Sequence, residues 1–144
     1  MGKAQEQIGY ESIDALVEDA KTVLVVDDEE HVRFRYREEF HDAGYKVITY
    51  DSGYKLLELI EEEQPDVVIL DVKMPQYDGL DLLNDIRDRW RSLPVILNTA
   101  YDQFKEDMKS IPADFYVIKS FDLTELMKKT AMALEASEER KVYD

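Results

Sequence analysis

The sequence predicts an α/β fold in which helices cover both faces of one five-stranded parallel sheet. Three observations predict it. Apolar runs too continuous for strands with one wet face recur at residues 22–26, 45–50, 67–70, 93–98 and 113–118. The segments between them repeat their apolar residues every three or four positions, as one face of a helix does. Four of the five runs close on a polar or charged residue followed by turn chemistry, namely Asp27, Asp71, Thr99 and Lys119. Strands alternating with helices require right-handed crossovers, and hence parallel pairing.

Taken in order, residues 1–21 stand apart as an N-terminal extension. Ile8, Ile13, Leu16, Val17 and Ala20 form a helical apolar stripe behind Ser12, a candidate N-cap. Such a helix either docks on the domain or a second copy, or is a loosely held leader. The first strand, Thr22-Val23-Leu24-Val25-Val26, runs into Asp27-Asp28-Glu29-Glu30. The next helix carries Val32, Tyr36, Phe40 and Ala43 on one face and stops at Gly44 as a C′ residue. Residues 45–50 alternate more and suit a sheet edge. Asp51 or Ser52 is the expected cap of a helix bearing Leu56, Leu57 and Ile60, which the acidic run before Pro65 ends.

Val67-Val68-Ile69-Leu70 reads as a strand buried on both faces that ends on Asp71, where the core gives way to a loop containing Pro75 and Asp78-Gly79. A plain alternative is that Asp71 merely caps the following helix, whose inner face carries Leu80, Leu83, Ile86 and Trp90. The fourth strand ends at Thr99. Phe104, Met108 and Ile111 mark a short fourth helix ended by Pro112, and the fifth strand ends at Lys119. Asp122 and Glu125 form a capping-box variant ahead of a long last helix with Leu123, Leu126, Met127, Thr130 and Leu134 inward. The domain spans residues 22–138, with 139–144 as a tail.

Composition narrows the function. A chain of 144 residues makes one domain that buries roughly two-thirds of its unfolded surface. With no cysteine there are no disulfides and no thiolate metal sites. A formal charge of −15 argues against direct nucleic-acid binding, which needs clustered Lys and Arg, but is compatible with divalent cations and basic protein partners. No apolar run approaches the ~20 residues of a membrane span and no signal-peptide core is present, so the cytoplasm is the default expectation.

The expected strand order is 2-1-3-4-5, the flavodoxin-like doubly wound (βα)5 arrangement, in which ligands bind at the carboxyl edge where the winding reverses. That order brings Asp27 and Asp28 beside Asp71. Two carboxylate charges 4 Å apart repel by about 4 kcal/mol at an effective dielectric near 20. A hard divalent cation relieves this, and oxygen ligands alone favour Mg²⁺. Thr99 and Lys119 add a hydroxyl and an ammonium on the same rim. A carboxylate nucleophile, a metal, a hydroxyl and a lysine are what in-line phosphoryl transfer uses.

Val25-Val26-Asp27-Asp28-Glu29, Leu70-Asp71-Val72-Lys73-Met74-Pro75-Gln76-Tyr77-Asp78-Gly79, Asn98-Thr99-Ala100 and Tyr116-Val117-Ile118-Lys119 together resemble the receiver domain of two-component response regulators (CheY-like). The resemblance implies that Asp71 accepts a phosphoryl group from the phosphohistidine of a sensor histidine kinase or phosphotransfer protein. It implies Mg²⁺ held by Asp28, Asp71 and the backbone carbonyl of Lys73, with Asp27 acting mainly through water. Thr99 and Tyr116 are the switch pair, Lys119 pairs with the acyl phosphate, and Pro75 and Gly79 shape the adjoining loop. Phosphorylation then remodels the face of the fourth helix, fifth strand and fifth helix for a downstream protein partner. On this reading the domain is no enzyme beyond its own phosphotransfer and dephosphorylation.

The chain departs from the family pattern in three places. Lys119 precedes Ser120 where the family usually has Lys-Pro with a cis bond, and a cis bond before a non-proline costs about 2.5–4 kcal/mol. The loop must carry that strain or take a trans path. The Thr99–Lys119 interval is about two residues short and contains Pro112. Lys73 and Tyr101 stand two positions beyond Asp71 and Thr99, where bulk or charge hinders an attacking water, which predicts a long-lived aspartyl phosphate. No DNA-binding or catalytic module follows in the sequence, so a stand-alone receiver acting by protein contact, or a relay intermediate, is expected, with a piece cut from a longer protein as the alternative; a homodimer stays open. Rivals are a pseudo-receiver that binds partners without phosphorylation and an Asp-nucleophile Mg²⁺-dependent phosphatase. The latter wants Asp-x-Asp-x-Thr, which Asp71-Val72-Lys73-Met74-Pro75 does not supply. His31 and His41 are read as surface residues.

Overall fold

Strands β1 (Thr22–Val26) and β3 (Val67–Asp71) lie side by side in the middle of a parallel sheet, Val25 opposite Ile69. The computed structural model describes residues 20–100 and 112–143. Around this central pair the chain winds outward twice. Helix α1 (Glu30–Asp42) returns it to β2 (Lys46–Tyr50) on one edge, and α2 (Leu56–Glu63) carries it back to β3. After a two-strand ribbon, β4 (Lys73–Met74) and β5 (Tyr77–Asp78), helix α3 (Gly79–Arg89) leads to β6 (Val95–Thr99). Strand β7 (Phe115–Ile118) forms the other edge and α4 (Thr124–Tyr143) closes the fold. The sheet order β2-β1-β3-β6-β7 is the expected 2-1-3-4-5 once the ribbon is left out of the count. The helix expected within residues 1–21, the short helix expected around Phe104–Ile111, and Tyr101 lie outside the described residues.

Side-chain alternation along the strands builds two cores. Leu24, Val26, Val68 and Leu70 pack with Leu56 and Ile60 of α2 and Leu83 and Ile86 of α3. Val23, Val25, Ile69 and Ile96 face the opposite way and pack with Tyr36 and Phe40 of α1 and Leu126 and Leu134 of α4. Strands β1, β3 and β6 are therefore buried almost throughout, while β2 is half-buried along its length, as its weaker pattern predicts for an edge.

The helix ends follow local chemistry. Gly44 takes a positive φ of 99°, and the Gly44 and Tyr45 N–H groups donate to the His41 and Phe40 carbonyls, a Schellman stop for α1. Helix α2 corrects the expected cap: neither Asp51 nor Ser52 caps it. Ser52 Oγ instead accepts from the Tyr54 N–H at 3.0 Å, closing a turn, and the helix starts after Lys55 in the left-handed region. Gly53 occupies that turn because a Cβ there would lie 2.6 Å from the Tyr77 ring. At the other end Gln64, also left-handed, stops α2 before Pro65 as expected. On α3, Leu83 and Ile86 are buried as expected, Leu80 and Trp90 are half-buried against the same core, and Leu82 is buried beside them. Ahead of α4 the Asp122 carboxylate accepts from the Thr124 N–H at 2.9 Å. This helix runs on to Tyr143, through residues expected as a tail, because Glu138, Glu139 and Arg140 favour helix and nothing breaks it.

Gly79 joins the fold to the loop after β3. A Cβ there would strike the Asp71 carbonyl oxygen and sit 2.6 Å from Val72 Cα, both backbone atoms that cannot swing aside. Gly44 has open space but a left-handed φ. Gly79→Ala is expected to destabilise by about 1–3 kcal/mol or more through overpacking, and Gly44→Ala by roughly 1 kcal/mol through its backbone angle. Urea denaturation checks the order; a Gly79→Ala midpoint equal to wild type would contradict it.

Candidate functional site

The acids that close β1 and β3 meet because those strands are neighbours. Asp27 follows β1 directly, and its N–H donates to the Tyr50 carbonyl at 3.0 Å, so β2 fixes where the chain turns away. Its Oδ1 accepts from the Glu29 N–H at 2.9 Å, an Asx turn that starts α1, while Arg33 Nη1 donates to the Asp27 carbonyl at 2.9 Å. Asp71 is the last residue of β3. The carboxylate oxygens of Asp27, Asp28 and Asp71 lie within 4.8 Å of one another; Asp27 and Asp71 are buried and Asp28 is exposed.

Asp71 does not cap the next helix. That role falls to Asp78, whose Oδ1 accepts from the Leu80 N–H at 2.8 Å. Between them the chain makes the β4–β5 ribbon, Lys73 opposite Asp78 and Met74 opposite Tyr77, with Gln76 left-handed at its tip. The ribbon leaves the Asp71 side chain directed at the crevice, touched by its own loop through one long contact from the Lys73 N–H at 3.4 Å.

Lys119 reaches the acids from the far edge of the sheet. Its Nζ lies 2.8 Å from Asp27 Oδ2, 3.3 Å from Asp71 Oδ2 and 3.3 Å from Glu29 Oε1. Its backbone N–H donates to the Thr99 carbonyl at 2.6 Å, extending the β6–β7 ladder by one rung. Among the described residues every peptide bond is trans, including Lys119–Ser120, so the lysine reaches the site by the trans path. Thr99 is fully buried at the end of β6, and Tyr116 of β7 is half-buried against the core beneath α2 and α3.

Charge in the crevice is unbalanced. Burial, followed by the Asp27 carboxylate, pushes Asp71 up to about 6, although Lys119 and the Lys73 N–H oppose this. Burial works against the Lys119 ammonium, but hydrogen bonds and charge from Asp27 and Asp71 outweigh it and hold the pKa above the usual lysine range. Burial also pushes Tyr36 up to about 12, so its phenol is a donor at neutral pH. The donor set of carboxylates alone, one of them costly to ionise, fits a hard divalent cation such as Mg²⁺.

Every described residue expected at the site is therefore on one rim: Asp27, Asp28, Asp71, Lys73, Thr99 and Lys119, with Tyr116 on the adjacent strand. Sequence reading passed over Glu29 as a partner of Lys119, and the pair Tyr36–Asn98. A usable signal existed for the second: Asn98 is an amide in an otherwise apolar strand. His31 is exposed, 3.6 Å from Glu29, while His41 is half-buried rather than on the surface.

Comparison with known proteins bears on the family and the fold. Residues 23–131 match the response regulator receiver domain family. The chain is 38% identical over 109 residues to Response regulator MprA of Mycolicibacterium vanbaalenii, covering 74% of this chain and 47% of that protein. It is 36% identical over 121 residues to Regulatory protein AtoC of Escherichia coli, covering 83% and 26%. It thus spans about half of one relative and a quarter of the other. Among solved structures, response regulator TrrA of Thermotoga maritima in complex with Mg²⁺-BeF is 38% identical, with a TM-score of 0.74 over 78% of this chain and 98% of that one. TrrA in complex with histidine kinase ThkA gives 39% identity and a TM-score of 0.73, over 79% and 98%.

The raised Asp71 value sets a pH dependence for the metal-free protein. The folded value of about 6 lies above the ordinary 3.8, so the folded state binds this proton more tightly than the unfolded chain. Its contribution is fully present below pH 4 and is lost as pH rises through 6. Urea denaturation in chelator is expected to show the difference between wild type and Asp71→Asn changing by on the order of 2–3 kcal/mol from pH 4 to 7, to the detriment of wild type. A difference that stays flat would contradict it.

Proposed function

This chain belongs to the response regulator receiver domain family, a family of signalling domains, and from that premise we propose that Asp71 is its phosphoacceptor. The observation that carries the proposal is the convergence of Asp27, Asp28 and Asp71 with Lys119 in one crevice at the carboxyl edge of β1 and β3. An Asp71 carboxylate oxygen attacks the phosphorus of a phosphohistidine as the P–N bond breaks. The electron pair leaves with the imidazole, and an acyl phosphate remains. A histidine kinase as donor is supported by TrrA, which is solved with ThkA.

Asp28, Asp71 and the Lys73 carbonyl would hold Mg²⁺, with Asp27 acting mainly through water; TrrA is solved with Mg²⁺-BeF. The ion's chemistry is to neutralise charge on the transferring oxygens. Lys119 stays beside Asp71 and pairs with the added phosphoryl oxygens, because its ammonium is charged at any physiological pH and already lies within 3.3 Å. Thr99 hydrogen-bonds the acyl phosphate and Tyr116 turns inward behind it. Phosphorylation adds about −1.5 to −2 charge beside Asp27, Asp28 and Glu29, which biases the β6–β7 side of residues 22–138 toward a form that binds a downstream protein. Lys73, exposed at the mouth of the ribbon, hinders an attacking water and prolongs the phosphoryl group's stay.

Incubation with acetyl phosphate and Mg²⁺ is expected to add one phosphoryl group by intact mass, with none added in Asp71→Asn or in chelator. No gain in wild type would leave a pseudo-receiver, and turnover of many phosphoesters per chain would indicate a phosphatase. Freed of acetyl phosphate with Mg²⁺ retained, the labelled protein is expected to keep its phosphoryl group for minutes or longer, and Lys73→Ala to lose it faster; loss within seconds from wild type would contradict the role of Lys73.

A further inference from the structure

The polar atoms buried beneath the crevice form a second, separate arrangement. Asn98 is 2% exposed in β6 and sits directly across the ladder from Asp71. Residues 96 and 98 share a strand face, and Ile96 belongs to the core under α1 and α4, so the amide enters that core. There its Nδ2 donates to the Val117 carbonyl of β7 at 3.1 Å. A carbonyl oxygen only accepts, so the amide orientation is fixed and Oδ1 must face the other way. It faces Tyr36 of α1, 3% exposed, whose hydroxyl donates to it at 2.6 Å.

We propose that Tyr36 and Asn98 are positioning residues of the phosphoryl-accepting site, acting through the strand ends that carry Thr99 and Lys119. The inference rests on reading Asp71 as the phosphoacceptor and goes beyond it by naming what aligns the groups around it. Asn98 immediately precedes Thr99, and Val117 stands two residues before Lys119. The side-chain bond from Asn98 to Val117 lies one rung before the Lys119 N–H bond to Thr99. Tyr36 anchors this rung to α1, the helix that the Asp27 turn begins. One chain of contacts thus ties the Asp27–Asp28 turn to the two strand ends opposite it.

An apolar pair would fill the same space without burying an amide and a phenol. The polar pair adds direction: a hydrogen bond fixes β7 against β6, and β6 against α1, in one arrangement, where hydrophobic contact tolerates sliding. Lys119 needs that precision because its ammonium is shared among Asp27, Asp71 and Glu29 at separations between 2.8 and 3.3 Å.

The test compares full-length Tyr36→Phe and the double variant Tyr36→Phe/Asn98→Leu with wild type. It measures the initial rate of labelling by acetyl phosphate, Mg²⁺ affinity by calorimetry and the urea midpoint. Tyr36→Phe is expected to slow labelling about tenfold or more, with Mg²⁺ affinity little changed and a lower midpoint. The double variant removes the Asn98 oxygen that Tyr36→Phe orphans, at the cost of the bond to the Val117 carbonyl, and is expected to regain part of the midpoint but not rate. A stability control in the other core, Ile60→Val, is expected to lose midpoint and keep the wild-type rate. Should Tyr36→Phe not fold, the double variant carries the comparison alone. Recovery of rate along with midpoint, or labelling by Tyr36→Phe at the wild-type rate, would overturn the proposal while Asp71 is still labelled in wild type. A wild type that takes no phosphoryl group overturns the phosphoacceptor reading, and this inference with it.

Discussion

Two carboxylates are held out of water at the ends of adjacent strands and share one ammonium, and the rest of the structure is arranged around that constraint. Asp27 and Asp71 are 2% and 5% exposed. Like charges about 4 Å apart in surroundings of effective dielectric near 20 repel by about 4 kcal/mol, several times the worth of a typical hydrogen bond. Lys119 offsets part of this from 2.8 and 3.3 Å, but it serves Glu29 as well. The crevice therefore stays negative, and burial together with the Asp27 charge raises the Asp71 pKa. A site in this condition gains from any cation it admits. Neutralising Asp71 relieves the folded chain at neutral pH even as it removes the chemistry.

The sheet topology makes this arrangement possible. Because the chain winds outward in both directions from β1 and β3, their carboxyl ends have no crossover helix between them. Rigid parallel strands place the acids, and local turns direct them. The Asx turn at Asp27 begins α1, and the ribbon with Asp78 at its end takes over helix capping so that Asp71 does not have to. Gly79 lets the chain pass close to the Asp71 carbonyl as it enters α3. The site is thus built from strand ends, with loops that set only their surroundings.

Strand order and the location of the acids were legible because both depend on strong, local signals. Continuous Val, Ile and Leu runs mark buried strands, and a charged residue closing such a run has few structural explanations. What could not be read has physical causes of another kind. The start of α2 depends on Tyr77, distant in sequence, packing against Gly53, and no pattern within residues 51–56 reveals that contact. The same is true of α3, where Leu82 joins Leu83 and Ile86 in the core and Leu80 is only half-buried at its margin. Asn98 was visible as an anomaly in an apolar strand, but its meaning depends on Tyr36, 62 residues earlier. Glu29 is another such case: nothing in the sequence distinguishes it from Glu30, although only Glu29 lies beside Lys119.

The substitution of Ser120 for the family's proline shows how the lysine's position is divided between the strand before it and the loop after it. Upstream, the Lys119 N–H bond to Thr99 makes the lysine an extra rung of the sheet, so its Cα is placed by β6 whatever residue comes next. Downstream, the loop has its own supports. Ser120 Oγ accepts from the Asp122 N–H at 3.2 Å, and Asp122 in turn holds Thr124 at the start of α4. Arg35 of α1 donates to the Phe121 carbonyl and lies 5.1 Å from the centre of the Phe121 ring. A proline would supply stiffness to this loop through its ring; here a serine turn and an arginine from the neighbouring helix restrain it instead. The lysine keeps its reach because the sheet, and not the next peptide bond, decides where it stands.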